Sequence, residues 1–283
     1  MNKCAPNKKY QDGTCFTLDN LHLLAKNYNK LYNDKINITN DKKQILKELT
    51  NKMKVKYDCM DQACWLKTNI VNNTGDEDIK KYTFRPDGPK KQFEWLSTRD
   101  IDKVMAQYER KYTNFTFLGA LPNDFEELPF LGIYDINLSE VKKETPILGA
   151  VINLDVHTQS GSHWVALYAN LNENRIYYFD SFGKKPGKRI RHFTNRILNY
   201  MHNKNKEKIN TKDFLKEYKF SDKYDIRYNK KQHQFKNSEC GVYSMNFIIR
   251  LLHGEDFDSI VDNITNDDEM NKCRNAYFQN VNI

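Results

Sequence analysis

A cysteine followed by glycine stands where a polar loop gives way to an apolar helical pattern. Cys240 and Gly241 precede Val242, from which apolar residues recur at helical spacing. A thiol at a helix N-terminus lies close to backbone N–H groups and to the positive end of the helix dipole, and both favour the nucleophilic thiolate. A lone cysteine is more often a buried structural residue, so Cys240 needs partners before it indicates catalysis.

His163 and Asp180, which both come well before Cys240 in the chain, could be those partners. His163 begins an apolar run, and Asp180, seventeen residues later, ends the next one. Two antiparallel strands joined by a short turn would bring these positions together, so Asp180 could accept the proton on the far nitrogen of His163. Each residue alone is more often structural, but together with Cys240 they predict nucleophilic catalysis by a Cys–His–Asp set.

A glutamine in the loop before the cysteine could complete the site. Gln234 lies six residues before Cys240, and Gln232 is a rival for the same role. A side-chain NH₂ group together with the Cys240 backbone N–H could stabilise a tetrahedral oxyanion. Glutamines are common in polar loops, so the local sequence leaves both positions open.

The elements that must position these residues can be read from β-branched, aromatic and helical patterns. The patterns predict strands over 147–156, 163–171, 174–180 and 224–229, and helices starting at Ser97 or Thr98, at 189–202, at 241–253, and after Thr265 or Asn266. Strands and helices in this arrangement indicate an α+β domain.

The first third of the chain differs in character. Residues 1–91 are rich in Lys and Asn and contain short helical patterns, and 72–91 reads as a linker or surface loop with Gly and Pro among charges. We therefore predict a helical arm domain over 1–91 and a core domain over 92–283.

The composition narrows the class of protein. The 283 residues have a net charge of +8, and no apolar run reaches the roughly 18 residues that a membrane span needs. The N-terminal stretch has no apolar signal segment, so we expect an intracellular protein with reduced cysteines. Four cysteines in the arm raise zinc as an alternative, but their spacing is poor for zinc: Cys4, Cys15, Cys59 and Cys64. No cofactor or metal is predicted.

Taken together, these motifs resemble a known family. The sequence His163-Trp164, then Asp180, then Gln234 six residues before Cys240-Gly241 resembles the Ulp1/SENP-type SUMO proteases and the adenovirus protease, the adenain-like cysteine peptidases. The likeness covers about 92–283 and includes the Trp95-Leu96 segment that opens the core. It implies a papain-like, Ulp1-type core with a central mixed sheet flanked by helices, preceded by a small, mainly helical arm.

A narrower likeness is to the polyprotein-processing proteases of large DNA viruses, including that of African swine fever virus. It rests on GAVINLDVHTQSGSHWVALYANL, HQFKNSECGVYS, ITNDDEMNKCR and the cysteines of the arm. One position of this chain differs from the swine fever enzyme, which has Asn where this chain has Asp180. The role of Asp180 is therefore carried over from the broader family.

The resemblance implies a thiol endopeptidase acting on viral structural polyproteins. Cys240 would be the nucleophile, His163 the base, Asp180 the orienting acid and Gln234 the oxyanion donor. Family members cleave after Gly-Gly or similar small residues, and Trp164 would line the narrow substrate channel. The expected locations are the virion and the host cytoplasm, where viral factories lie.

Two alternatives stay open at this stage. One is a protease that removes SUMO or a ubiquitin-like protein from conjugates. The other is a nucleic-acid-binding or scaffold protein on a protease fold, suggested by a basic cluster that could equally be a solvated helix face: Lys184, Lys185, Lys188, Arg189 and Arg191.

Overall fold

The computed structural model describes residues 3–203 and 224–280. The chain forms two compact units, which we call the arm unit (1–87) and the core unit (88–283). Their boundary lies within the predicted linker. Among the described residues, no helix combines the length and the apolar character that crossing a bilayer requires.

The arm unit is helical. Its helices are α1 (Leu18–Leu31), α2 (Lys42–Tyr57), α3 (Asn69–Asn72) and α4 (Glu77–Tyr82). Thr17 caps α1 in a capping box, and Asp41 caps α2 by accepting hydrogen bonds from two backbone N–H groups. The buried faces of these helices form one apolar cluster, in which Phe16 stacks on Trp65 with 5.5 Å between ring centroids.

Two expectations about the arm are wrong. The four arm cysteines are not reduced thiols, because Cys4 is disulfide-bonded to Cys15 and Cys59 to Cys64, with Cα–Cα distances of 5.4 and 5.5 Å. Sequence spacing did not reveal the pairing, which depends on how the backbone brings the Cα atoms together. The stretch 72–91 is not a simple linker either, because it contains α4 and the buried Phe84, which pairs with Cys4 in a β-bridge.

The core unit is built on a five-stranded sheet. Its strands are β1 (Phe115–Leu121), β2 (Ile147–Asn153), β3 (Trp164–Asn170), β4 (Arg175–Phe179) and β5 (Asp225–Tyr228), in that spatial order. The outer pairs, β1 with β2 and β4 with β5, are parallel, while β2, β3 and β4 are antiparallel neighbours. The sheet is therefore mixed, which confirms the predicted fold class.

Helices cover both faces of this sheet. They are α5 (Thr98–Lys111), α6 (Leu138–Glu144), α7 (Lys188–Asn203), α8 (Cys240–Leu252), α9 (Phe257–Asp262), α10 (Asp267–Lys272) and α11 (Arg274–Tyr277). Side chains that alternate along β3 separate two cores: Ala166 and Tyr168 belong to the cluster with α5 and α8, whereas Val165 and Leu167 belong to the cluster with α7. Helix α8 is buried on nearly all sides, as its apolar sequence predicted.

Strand β1 was missed by the sequence analysis. Its register against β2 shifts between Phe117 and Ala120, where Gly119 adopts a φ of +120°. This β-bulge interrupts the alternation of side chains that identifies a strand in a sequence.

Candidate active site

A β-hairpin brings the predicted histidine and aspartate together. Strands β3 and β4 pair antiparallel with Ala166 opposite Phe179. Continuing this register beyond the strand ends places His163 across from Phe182 and close to Asp180. The distance from His163 Nε2 to Asp180 Oδ1 is 2.7 Å, and both side chains are buried.

The environment of His163 favours its charged form. Burial alone would lower the pKa of His163, but hydrogen bonds to Asp180 and Cys240 outweigh burial and raise it to about 9. The imidazole also stacks on the Phe182 ring, with 4.4 Å between centroids and an interplanar angle of 12°. Because His163 Nε2 is hydrogen-bonded to Asp180, Nδ1 is the ring nitrogen that remains to interact with Cys240.

Asp180 is fixed by its own neighbours. Its Oδ1 accepts a second hydrogen bond from the Phe182 backbone N–H at 2.8 Å. The Asn229 side chain, which follows β5, accepts a hydrogen bond from the Asp180 N–H and donates one to the Asp180 carbonyl, at 2.8 and 2.7 Å. The carboxylate that orients the histidine is therefore clamped at both side chain and backbone.

Cys240 is the first residue of α8 and is buried. The glycine after it allows a close approach, because a Cβ at Gly241 would lie 3.2 Å from Leu96 and 3.3 Å from Trp164. The Trp164 indole N–H donates to the Leu96 carbonyl at 3.0 Å, which fixes the ring in place. Cys240, the proposed nucleophile, and Trp164, the proposed substrate-lining residue, thus belong to one packed region.

The two candidate glutamines differ in their surroundings. Gln234 is buried; its Oε1 accepts from the Ser181 hydroxyl at 2.6 Å, and its Nε2 donates to the Lys236 carbonyl at 2.6 Å. Gln232 is exposed. The amide of Gln234 is therefore held in one orientation, and its part in an oxyanion site stays a prediction.

A cavity of about 580 Å³ opens beside Trp164, the residue that follows His163 in the chain. Trp95, Leu96 and Trp164 line it, together with the loop through Gly161 that leads into His163. Its remaining wall is mixed: one part is apolar and includes Leu128, Phe130 and Leu131, and another part is polar and includes Asp155 and Gln159. The volume of this cavity lies within the range of ligand-binding pockets.

The basic cluster is partly engaged by its own surroundings. Arg189 forms an ion pair with Glu127 at 2.8 Å, and Arg191 donates to the Pro186 carbonyl at 2.7 Å. Nucleic-acid binding through this cluster stays a prediction. In the parts of the chain that the structure describes, no group of three or more His, Cys, Asp or Glu side chains is suited to a metal.

Sequence reasoning missed the residues that support the site. Ser181 and Phe182 directly follow Asp180, and Asn229 directly follows β5, so their positions at strand ends were the available signal. What the sequence did not contain was the pairing of Asn229 with Asp180, which are 49 residues apart.

The sequence and the fold of this chain are similar to those of known proteins. The family model described as "Ulp1 protease family, C-terminal catalytic domain" matches residues 135–282. A protein of Acanthamoeba polyphaga mimivirus named as a thiol protease is 37% identical over 302 residues, covering 99% of this chain and 94% of the relative. A protein of African swine fever virus named as a SUMO-1 cysteine protease is 24% identical over 260 residues, covering 84% of this chain and 90% of the relative.

The fold is similar to a solved viral structure. The crystal structure of a protease of African swine fever virus superimposes with a TM-score of 0.66 at 20% identity, covering 98% of this chain and 96% of that one. At that level of identity, the likeness shows a shared fold and includes the arm as well as the core.

Proposed function

This chain belongs to the Ulp1 protease family and is a cysteine peptidase, and from that premise we propose that Cys240, His163 and Asp180 are its catalytic residues. The observation that carries the proposal is the His163–Asp180 hydrogen bond of 2.7 Å, and the raised pKa of His163, to which Cys240 contributes, supports it. A pKa of about 9 for His163 favours an imidazolium at neutral pH, the form that pairs with a cysteine thiolate.

In the proposed reaction, the Cys240 thiolate attacks the carbonyl carbon of the scissile peptide bond and forms a tetrahedral oxyanion. The His163 imidazolium gives its proton to the leaving amine nitrogen as the C–N bond breaks, which leaves a thioester on Cys240. Water, deprotonated by the neutral imidazole, then attacks the thioester, releasing the carboxylic acid and restoring the thiolate. Asp180 keeps the imidazole in the required orientation throughout.

Two donors are proposed for the oxyanion. One is the Cys240 backbone N–H, which stands at the start of α8 and is aided by the positive end of the helix dipole. The other is the second N–H of Gln234 Nε2, whose amide is oriented by Ser181 and Lys236. Pre-oriented donors of this kind cost no reorganisation when the charge develops.

The walls of the cavity support a preference for small residues before the cleaved bond. Trp164 is fixed by its hydrogen bond to Leu96, and it packs so closely on Gly241 that even a Cβ there would be crowded. We infer that a substrate chain reaching Cys240 passes beside the fixed Trp164 ring, where a small side chain fits most easily. We therefore propose Gly-Gly and similar sequences as the cleaved sites, with Trp164 and Trp95 as the lining residues.

We propose viral structural polyproteins as the substrates, cleaved during virion maturation in the host cytoplasm and in the particle. Support comes from the mimivirus and swine fever virus relatives, which are named as proteases and match most of this chain.

The test is to incubate wild-type and Cys240→Ala protein with virion polyproteins and to sequence the new N-termini. We expect cuts only with the wild type, each following a Gly-Gly or similar pair. A matched peptide set, X-Gly-Gly-X against X-Gly-Leu-X, should differ by about 100-fold in kcat/KM, or about 2.7 kcal/mol. Equal cleavage of both peptides would contradict the small-residue preference.

Deconjugation of SUMO is the second candidate, because the swine fever relative is named a SUMO-1 cysteine protease. A SUMO precursor and a SUMO-linked substrate belong in the same assay. If they are cleaved with a kcat/KM well above that of the polyprotein, the substrate is a folded modifier and the polyprotein proposal is wrong.

A further inference from the structure

A fully buried ion pair lies directly beside the proposed nucleophile. Glu239 precedes Cys240 in the chain, and Arg274 is the first residue of α11. The Arg274 Nη2 atom donates to Glu239 Oε2 at 2.9 Å and to the Ser238 carbonyl at 2.9 Å, and both charged side chains are 0% exposed. The core thus fixes the peptide before the nucleophile with a buried guanidinium.

The other oxygen of Glu239 is also engaged. Its Oε1 accepts hydrogen bonds from the Ser238 hydroxyl at 2.6 Å and from Asn271 Nδ2 at 2.8 Å. Glu239 occupies the N-cap position of α8, yet its side chain makes no capping bond to that helix. The carboxylate is directed away from α8 and toward α10 and α11 instead.

Helix α10 also holds the other end of this loop. Asp267 Oδ2 accepts from the backbone N–H groups of Phe235 and Lys236, at 2.8 and 3.0 Å. Asp267, Asn271 and Arg274 follow one another at spacings of four and three residues, as one face of a helical segment requires. The loop that carries Gln234 and ends at Cys240 is therefore attached at both ends to one surface.

Stability alone is a weak explanation for such a pair. Burying two charges costs desolvation energy, and well-packed apolar residues of similar volume are often at least as stable. The pair is instead joined to the segments that carry the two groups proposed as oxyanion donors, because it fixes the Ser238–Glu239 peptide and the Glu239 side chain directly before Cys240, while Asp267 fixes the backbone next to Gln234.

We propose that Arg274 is a positioning residue, which acts through Glu239 and the Ser238 carbonyl to aim the Cys240 backbone N–H at the developing oxyanion. The inference rests on the proposed function of Cys240 as the nucleophile. Arg274 touches neither the substrate nor the reacting atoms, and its effect is therefore on transition-state stabilisation and not on substrate binding.

The experiment compares two reactions of Cys240 that differ only in whether an oxyanion forms. Iodoacetamide alkylates the thiolate by displacement at carbon, without an oxyanion, whereas p-nitrophenyl acetate acylates it through one. Neither reagent requires peptide recognition. Cys273→Ser serves as the parent for every variant because Cys273 is the other free cysteine, and Cys240→Ala gives the background.

Three variants are needed. Arg274→Lys keeps the charge but loses the forked geometry, and the double variant Glu239→Met/Arg274→Met replaces the pair with apolar residues, so that no buried charge is left unpaired. Arg250→Met is the matched control, because Arg250 forms an ion pair with Glu255 at the opposite end of α8.

We expect the Arg274→Lys and double variants to be alkylated at the parent rate but acylated at least about tenfold more slowly, with peptide kcat reduced about 100-fold and KM within about twofold. Arg250→Met should match the parent in all three assays. Parent acylation rates in either folded variant would overturn the proposal, and so would alkylation falling in parallel with acylation. If the parent cleaves no Gly-Gly peptide, the proposed substrate fails, while the ratio of acylation to alkylation still tests Arg274.

Discussion

The arm unit and the core unit are stabilised by different means. Among the described residues, the polar side chains that the arm buries are neutral: Thr14, Asn27, Thr68 and Thr83. The core buries charged side chains, among them Asp180, Glu239, Asp267 and Arg274. Both disulfides lie in the arm, and both free cysteines lie in the core.

This difference suggests that the core unit carries the reactive groups and that the arm unit has a structural role. Buried charges are costly unless they are paired and hydrogen-bonded, and in the core they gather around Cys240 and His163. The arm reaches its stability through an apolar cluster and local covalent links. Changes in the core are therefore expected to alter the reaction, and changes in the arm to alter stability.

The largest expected effect comes from the nucleophile. Cys240→Ala should lower kcat on a Gly-Gly peptide by on the order of 10⁶-fold, since the attacking atom is removed. The thermal midpoint should change little because alanine fits where the small thiol was. Cys273→Ser, at the other free thiol of the core, should keep wild-type kcat. Residual cleavage by purified Cys240→Ala would contradict the assignment.

A smaller loss is expected from Asp180→Asn, on the order of 10²-fold in kcat, because the nucleophile–base pair remains. The measurement that identifies the role of Asp180 is the dependence of kcat/KM on pH. His163 needs its proton to protonate the leaving amine, and its pKa of about 9 places the alkaline limb of kcat/KM near pH 9 in the wild type. Removing the Asp180 charge should move that limb toward neutral pH.

The raised pKa of His163 also makes the free energy of unfolding depend on pH, and the direction of that dependence follows from the pKa being raised. Protonation of His163 stabilises the folded core fully below the ordinary histidine pKa of about 6.5. This contribution is lost as the pH rises through about 9. The free energy of unfolding, measured by denaturant titration between pH 6 and 9, should therefore fall more in the wild type than in Asp180→Asn. Equal slopes would contradict the proposed linkage.

The smallest effect on activity is expected from the arm. Replacing Cys59 and Cys64 with Ser should cost about 2–3 kcal/mol of arm stability. Hydrogen exchange should become faster in α1 and α2 but stay unchanged in α5 and α8. The alkylation rate of Cys240 should equal that of the wild type. Loss of protection in α8 would show that the two units do not differ in the way described.

The parts of the site that could be predicted from the sequence depend on local geometry. His163 and Asp180 lie on consecutive strands joined by a short turn, so the register of one hairpin brings them together. The apolar helix after Cys240 also follows from a local pattern, whereas the mixed sheet was implied by the family resemblance. These features need no knowledge of distant contacts.

The parts that could not be predicted depend on contacts between distant segments. Arg274 was not singled out by the sequence analysis, because nothing near it in the sequence indicates its pairing with Glu239, 35 residues away. The arm cysteines were assigned to the wrong chemical state because the assignment rested on the expected cellular compartment, and their spacing did not indicate which cysteines pair. Four cysteines allow several pairings, and only the folded backbone selects one.

The attachment of the nucleophile loop to α10 and α11 also sets an order of events during translation. The ribosome makes Cys240 before it makes Arg274, and at about 5–20 residues per second the intervening residues take roughly 2–7 s. During that interval the thiol exists without the guanidinium that aims its backbone. A nascent chain is thus expected to cleave neighbouring polypeptides more slowly than the finished protein until its α11 segment has been made and has folded against the loop.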